Sequence, residues 1–344
     1  MLAIFISESA FKTIVLSEST KPASGQSYLY RIMRELKKLY VSAESSDTSW
    51  AKQYKEKYGL IPDFSLSDYI KGISAHPETV LQHPSSVYVL NITITEAERI
   101  QRSYGVICLS EERLDISPLI DVNDIYVSTE HEKLGRGWDS VLDSVEGLPS
   151  NALLLTDRYL FAFRHPNAGD GLANIRAILD ELLPQQFLGD DYHVTVVFDN
   201  INKHKSYTFD EIATKLNRIK TQLRRDYPIM MEVLGVTPDC SIYNKLHNRL
   251  IVSNYYMVEA GHKLAAFNQD KGTTRQTLLP LALFTESSLN GKSTPPLKAI
   301  NQTLSTLRDF TNSLSKLTDH NVYLYAVNGQ RMEKCMGIRN RLIK

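Results

Sequence analysis

Apolar and polar positions alternate along the chain in a way that predicts strands and helices following one another. In the first part, short apolar runs predict strands at Leu2–Ile6, Lys12–Leu16, Val87–Ile92 and Val106–Leu109. The first two runs are short and close in sequence, which favours a pair of adjacent strands. Thr93 is a suitable N-cap for a helix through Ser103, and Gly105 follows where a C-cap glycine belongs. This strand–helix–strand order predicts a small α/β domain.

The second part shows the same order more clearly. Apolar residues at helical spacing predict helices at Leu172–Leu183, Phe209–Asp226 and Leu297–Leu317, and the basic C-terminal tail is also expected to be helical. Compact apolar runs predict strands at Ala152–Phe163, His193–Phe198, Ile229–Val236, Leu278–Phe284 and Val322–Val327. The expected fold is a mixed sheet flanked by helices.

A change in composition near residue 148 predicts the border between two domains. Residues 128–150 are polar and contain Gly135, Gly137 and Gly147, after which the second α/β pattern begins. A chain of 344 residues also exceeds the length that one hydrophobic core usually serves. We therefore expect a small α/β domain over 1–148, whose role the sequence does not indicate, and a second α/β domain over 149–344.

The charge and cysteine content restrict the classes of function. The 39 basic residues balance the 39 acidic ones, which argues against a uniformly basic nucleic-acid binder but leaves room for a local basic patch. The three cysteines form no Cys-x-x-Cys pair, so the sequence indicates no metal site and no cofactor. The apolar start of the chain lacks a basic leader, and no segment is long enough to span a bilayer, so we expect a cytoplasmic protein.

The segment His247-Asn248-Arg249, followed by Asn254, has the spacing His-x-Arg-x4-Asn. Residues two apart on a β-strand share a face, so His247 and Arg249 would both point at one phosphate. This segment resembles the His-x-Lys-x4-Asp motif of phospholipase D-like enzymes, and the similarity extends over roughly residues 150–330. It is most similar to a degenerate branch with a His-x-Arg motif, such as the C-terminal domain of the MIT-domain proteins, which binds membrane phospholipid.

Two departures from the motif of the active enzymes favour binding over catalysis. The lysine position holds Arg249, whose planar fork suits bidentate contact with phosphate. The carboxylate position holds the neutral Asn254. Active members need two such motifs, and this chain supplies one. The resemblance thus implies Arg249 as the main phosphate contact, His247 as a hydrogen-bond donor, and Asn254 as the residue that orients His247. The alternative for His247 is a histidine at the edge of the core that bonds to the backbone.

Other basic residues are candidates for further contacts. Asp157-Arg158-Tyr159 interrupts an apolar strand, and Arg158 would add a second phosphate contact unless it only pairs with Asp157 at the surface. Lys203 and Lys205 lie in a loop, and a basic helix face follows at Arg218, Arg224 and Arg225. These five side chains would contact nucleic acid, or else merely solvate the loop and the helix.

The leading hypothesis is a non-catalytic phosphate-recognition protein associated with nucleic acid. A second hypothesis is a dimeric phosphodiesterase or nuclease that pairs one His-x-Arg motif from each subunit, in which case His247 is the catalytic residue. A third is a scaffold that binds a protein partner and carries a vestigial site. The sequence favours a protein that is not an enzyme.

Overall fold

The structure is a computed structural model, in which the chain folds into two compact units. It describes residues 2–36, 38–45, 48–116, 127–128, 137–145, 148–161, 170–199, 207–246, 249–261, 264–267, 277–282, 295–314, 323–328 and 331–343. Unit 1 takes in residues 1–121 with 284–293, and unit 2 takes in 122–283 with 294–344. Both units are α/β, as the sequence predicts, but whether the second is phospholipase D-like does not follow from its topology.

Unit 1 is built on a parallel sheet with the strand order β2-β1-β3-β4. The strands are β1 (Ile4–Ser7), β2 (Leu39–Ser42), β3 (Val87–Leu90) and β4 (Ile107–Ser110). The helices are α1 (Glu8–Glu18), α2 (Tyr28–Glu35), α3 (Trp50–Tyr58), α4 (Ser67–Gly72) and α5 (Ile94–Tyr104), with 3-10 turns at Ala23–Gly25 and Pro77–Gln82. Parallel strands require such helical crossovers.

One predicted strand of this unit is wrong. Lys12–Leu16 belongs to α1, because Ser7 caps a helix by accepting a hydrogen bond from the amide of Ala10. Phe11, Ile14 and Val15 then lie on one buried face of that helix. The predicted caps of α5 are confirmed: the Thr93 hydroxyl accepts from the amide of Glu96, and Gly105 has the left-handed φ of 62°.

Unit 2 contains a mixed sheet in the order β13-β12-β8-β7-β6-β9-β10-β11-β5. Its central strands, parallel to one another, are β6 (Ala152–Thr156), β7 (Tyr192–Asp199) and β8 (Ile229–Val236). The flanking strands are antiparallel: β5 (Val127–Ser128), β9 (Leu250–Val252), β10 (Tyr256–Ala260), β11 (Thr277–Ala282), β12 (Tyr323–Asn328) and β13 (Arg331–Lys334). Strand β5 precedes residue 148 and pairs with β11 of this sheet.

The helices of unit 2 are α6 (Trp138–Leu142), α7 (Gly171–Leu182), α8 (Phe209–Gln222) and α9 (Pro295–Leu314), with a 3-10 turn at Asp143–Val145. Helix α8 begins at a capping box, in which Thr208 and Glu211 satisfy each other's backbone amides. None of the helices in the described ranges is long and apolar enough to cross a membrane.

The basic C-terminal tail is not helical where the structure describes it. Arg331–Lys334 forms β13, which pairs antiparallel with β12. Beyond it, Asn340 is fully buried and donates from Nδ2 to the carbonyl of Leu153 (2.8 Å) and to the hydroxyl of Thr195 (3.1 Å). The tail therefore folds onto the centre of the sheet, because its polar residues satisfy partners there that a solvated helix would leave unpaired.

Candidate phosphate-binding site

The candidate site lies at the carboxyl ends of the parallel strands of unit 2. Asp157, Arg158 and Tyr159 directly follow β6, and Asp199 ends β7. The antiparallel strand β9 begins beside them, since Thr156 pairs with Leu250. Arg249, one residue earlier, thus lies at the same end of the sheet as Arg158. Ligands of α/β proteins bind preferentially at this end of a parallel sheet.

Arg158 is fixed by an aromatic contact and by the backbone. Its guanidinium carbon lies 3.6 Å from the centre of the Tyr243 ring, and its carbonyl accepts from the amide of Asp199 (3.1 Å). Tyr243 in turn donates its hydroxyl to Oδ2 of Asp199 (2.5 Å). Burial, and then this bond to a carboxylate, raise the pKa of Tyr243, so the hydroxyl keeps its proton and remains a donor.

Asp157 does not form the surface ion pair with Arg158 that the sequence left open. Its side chain is buried, and its two oxygens accept from the backbone amides of Tyr159 (2.8 Å) and Leu264 (2.6 Å). Its charge is therefore directed at the loop backbone. Among the described residues, no carboxylate lies within ion-pair distance of the Arg158 guanidinium.

Arg249 and Arg158 approach the same aromatic ring. Their guanidinium carbons lie 5.4 Å and 5.9 Å from the centre of Tyr159, which is 41% exposed. The Nε atoms of both arginines are buried and have no hydrogen-bond partner within the part of the chain that the structure describes. Nor does Arg249 form an ion pair with a described carboxylate. Two cations and an accessible aromatic face thus converge, and the Nε–H groups of both arginines remain able to donate a hydrogen bond.

Asn254 lies in the core at the amino end of β6, the end of that strand away from Arg158. It is 1% exposed, and its Oδ1 accepts from the amide of Asn151 (2.9 Å) while its Nδ2 donates to Oδ1 of Asn151 (2.9 Å). A neutral amide suits this place because it both donates and accepts there. His247 and Asn248 lie outside the described residues, so the proposed orientation of His247 by Asn254 remains a prediction. Arg249 itself precedes the first residue of β9.

The other predicted contacts fall in three groups. Lys203 and Lys205 lie outside the described residues. Arg218 and Arg224 are exposed, on α8 and directly after it. The Arg225 side chain is only 7% exposed and donates to the carbonyls of Leu183 and Asp180 at the end of α7, so its guanidinium is occupied by the helix end.

The site also includes three residues for which the sequence indicated no role, namely Tyr159, Tyr243 and Asp199. The position of Tyr159 and Asp199 at the ends of β6 and β7 was the available signal, because such positions gather at one end of a parallel sheet. Tyr243 lies in the segment beyond β8 and offered no such signal. The long distance in sequence between Tyr243 and Arg158 hid their contact.

Comparisons with known proteins do not assign the chain to a family. No family model matches it, and no curated protein matches it either.

Proposed function

We propose that this protein recognises phosphate groups without catalysing their transfer, and that its ligand is a nucleic acid. The observation that carries the proposal is the convergence of Arg158 and Arg249 on Tyr159, with both Nε atoms buried and without hydrogen-bond partners among the described residues. Guanidinium groups that have no ion-pair partner among the described residues are stabilised when an anion binds between them. A phosphodiester supplies such an anion.

The exposed ring of Tyr159 favours nucleic acid over a free phosphate ion. An aromatic face beside arginines provides a surface on which a base can stack while the guanidinium groups hold the backbone. A flat ring adds nothing to the binding of an isolated phosphate. The ligand expected here is consequently a single-stranded or unpaired segment, whose bases are free to stack.

The absence of a carboxylate at position 254 supports binding rather than catalysis. In the phospholipase D-like motif that the sequence resembles, an acidic residue occupies this place, whereas Asn254 is neutral and engaged with Asn151. A charge that would stabilise an imidazolium is thus missing from that position. The following test distinguishes this proposal from the nuclease and scaffold hypotheses.

The test is binding of labelled single- and double-stranded DNA and RNA, measured by fluorescence anisotropy and on gels at low and physiological salt. We expect Arg249→Ala and Arg158→Ala each to weaken binding of single strands and to reduce the salt slope by about one. The control is Arg176→Ala, which removes an exposed arginine of α7 and should leave affinity unchanged.

Two results would overturn the proposal. Cleavage products that disappear in His247→Ala would establish the nuclease hypothesis instead. Binding that is absent for every nucleic acid in the wild-type protein, or equal in Arg249→Ala and wild type, would favour the scaffold hypothesis. The anisotropy and gel measurements separate these cases, because one detects binding and the other detects product.

A further inference from the structure

A cavity of unit 2 lies at the opposite end of the same sheet from the site around Arg158 and Arg249. It has a volume of about 580 Å³ and is lined by residues at the amino ends of β7 and β8, among them Asp191, Ile229 and Met230. Strand β7 is eight residues long, so about 23 Å separates its two ends. This cavity is therefore distinct from the site around Arg158 and Arg249.

The cavity is rich in positive charge. Four basic residues line it, namely Lys220, Arg224, Arg225 and Arg339, against the two acidic residues Asp191 and Glu333. Asp191 is also engaged elsewhere: its Oδ1 accepts from Arg341 (2.6 Å) and pairs with Nε2 of His193 (2.8 Å). The charge that remains in the cavity is thus positive.

Two of these cations are shielded from solvent, Lys220 in part and with one long hydrogen bond, and Arg225 with its terminal nitrogens already occupied at the end of α7. Burial lowers the pKa of Lys220, and its ammonium donates to the carbonyl of Val327 at 3.3 Å. The Arg225 side chain is 7% exposed, and its Nε lacks a hydrogen-bond partner among the described residues. Buried donors and charges of this kind are costly unless an acceptor or anion completes them.

The backbone of Arg339, which lines the cavity, is fixed by two hydrogen bonds. Its amide donates to Oε1 of the fully buried Glu232 (2.8 Å), and its carbonyl lies 3.0 Å from Nδ1 of His193. The side chain of Arg339 itself is exposed. The position of the Arg339 backbone is thus fixed, while its exposed guanidinium has no ion-pair partner among the described residues and is available to an anion in the cavity.

The cavity also has an apolar wall. Pro228, Ile229, Met230, Ala326 and Val327 contribute to its lining. Its volume falls in the range of small-molecule sites, which are mostly apolar with a few polar groups that fix orientation. A ligand that fits it has an organic body and a strongly anionic end.

We propose that this cavity binds a small organic phosphate monoester, whose phosphate is held by Lys220 and Arg339 and whose organic part lies against the apolar wall. The cations that line the cavity outnumber the acids by two. A phosphate monoester carries a charge of about −1.5 to −2 at neutral pH, which matches that excess better than a single carboxylate does. The inference does not depend on the function proposed for the Arg158 and Arg249 site.

The test is titration calorimetry of the full chain with phenyl phosphate, AMP and UMP, with phenol and inorganic phosphate as the two halves of the simplest probe. We expect at least one monoester to bind with a Kd of about 1 mM or below, and more tightly than either half. Lys220→Gln and Arg339→Gln should each weaken it about ten-fold. The matched control is Lys215→Gln, an exposed lysine of the same helix.

Thermal unfolding of each variant distinguishes lost binding from lost folding, because a folded variant that has lost the site shows an unchanged Tm without ligand and no shift with it. Arg339 is exposed, so its variant is expected to fold. Three outcomes would overturn the proposal: no monoester binds, both substitutions leave binding unchanged, or Arg249→Ala weakens monoester binding as much as they do. The last would assign the ligand to the other end of the sheet.

Discussion

Asn254 and Asn151 are joined side chain to side chain, with 2.9 Å between Nδ2 of the first and Oδ1 of the second. The Oδ1 of Asn254 also accepts from the backbone amide of Asn151, just before β6. The residue at the carboxylate position of the motif thus connects the turn after β9 to the start of β6, at the end of these strands away from Arg249 and Arg158. Its neutral amide serves the architecture of the sheet.

Asn254→Ala is expected to lower the free energy of unfolding by about 1–3 kcal/mol, because it leaves the buried amide of Asn151 without its side-chain acceptor. Asn254→Asp should also be less stable than wild type, since a carboxylate cannot donate to Oδ1 of Asn151. Urea denaturation measures both. The control Asn301→Ala, at an exposed position of α9, should change stability by less than about 0.5 kcal/mol. An Asn254→Asp protein as stable as wild type would contradict this account.

Tyr243 has two separable roles beside Arg158. Tyr243→Phe removes the hydroxyl that donates to Asp199 but keeps the ring, so we expect a loss of about 1 kcal/mol. Tyr243→Leu also removes the aromatic face 3.6 Å from the Arg158 guanidinium, which should cost about 1 kcal/mol more. Chemical denaturation compares the two variants. Equal stability of the Phe and Leu proteins would show that the ring contact contributes nothing.

Gly171 begins α7 where the chain passes close to the segment after β6. A Cβ atom at this position would lie 2.0 Å from the carbonyl oxygen of Leu160, so the backbone must shift in Gly171→Ala. We expect a loss of at least about 2 kcal/mol, in the range of overpacked sites. Gly72→Ala is the control, because nothing lies within 4 Å of its Cβ position. It should be neutral or stabilising, and a Gly171→Ala protein that behaves the same way would refute the close approach.

Glu232 gives stability a pH dependence of predictable sign. Burial raises its pKa above the usual value, although the amide of Arg339 and the hydroxyl of Thr195 donate to it. The folded state therefore holds this proton more tightly than the unfolded state does. The contribution of this group to stability is present below the unfolded pKa and is lost as the pH rises through the folded pKa, by at most about 1.4 kcal/mol per pH unit.

The measurement is the free energy of unfolding of wild type minus that of Glu232→Gln, from pH 4 upward. This difference should fall as the pH rises. Glu211 is the opposite case, since a hydrogen bond from the backbone of Thr208 lowers its pKa, and the corresponding difference for Glu211→Gln should rise. A Glu232 difference that is flat or rises with pH would show that burial does not control this group.

The sequence by itself determined those helices and strands whose signals lie within the element itself or in the residues next to it. Thr93 and Gly105 fix the ends of α5 because a cap needs only its own neighbouring amides and one left-handed residue. Strand β8 has the bounds Ile229–Val236 that its apolar run predicts. The apolar pattern wrongly predicts a strand at Lys12–Leu16, because a run this short fits both the helical and the strand periodicity. The N-cap at Ser7 favours the helix.

Only the tertiary structure decided which of these residues meet. Arg158 and Tyr243 are far apart in sequence, yet the parallel order of β6, β7 and β8 places the ends of these strands together. In the same way, part of the C-terminal tail forms β13 because strand β12 is available to pair with it. The Arg225 guanidinium donates to the carbonyl of Leu183 because the end of α7 lies beside it. Contacts across a sheet depend on strand order and register, which the periodicity of one segment does not contain.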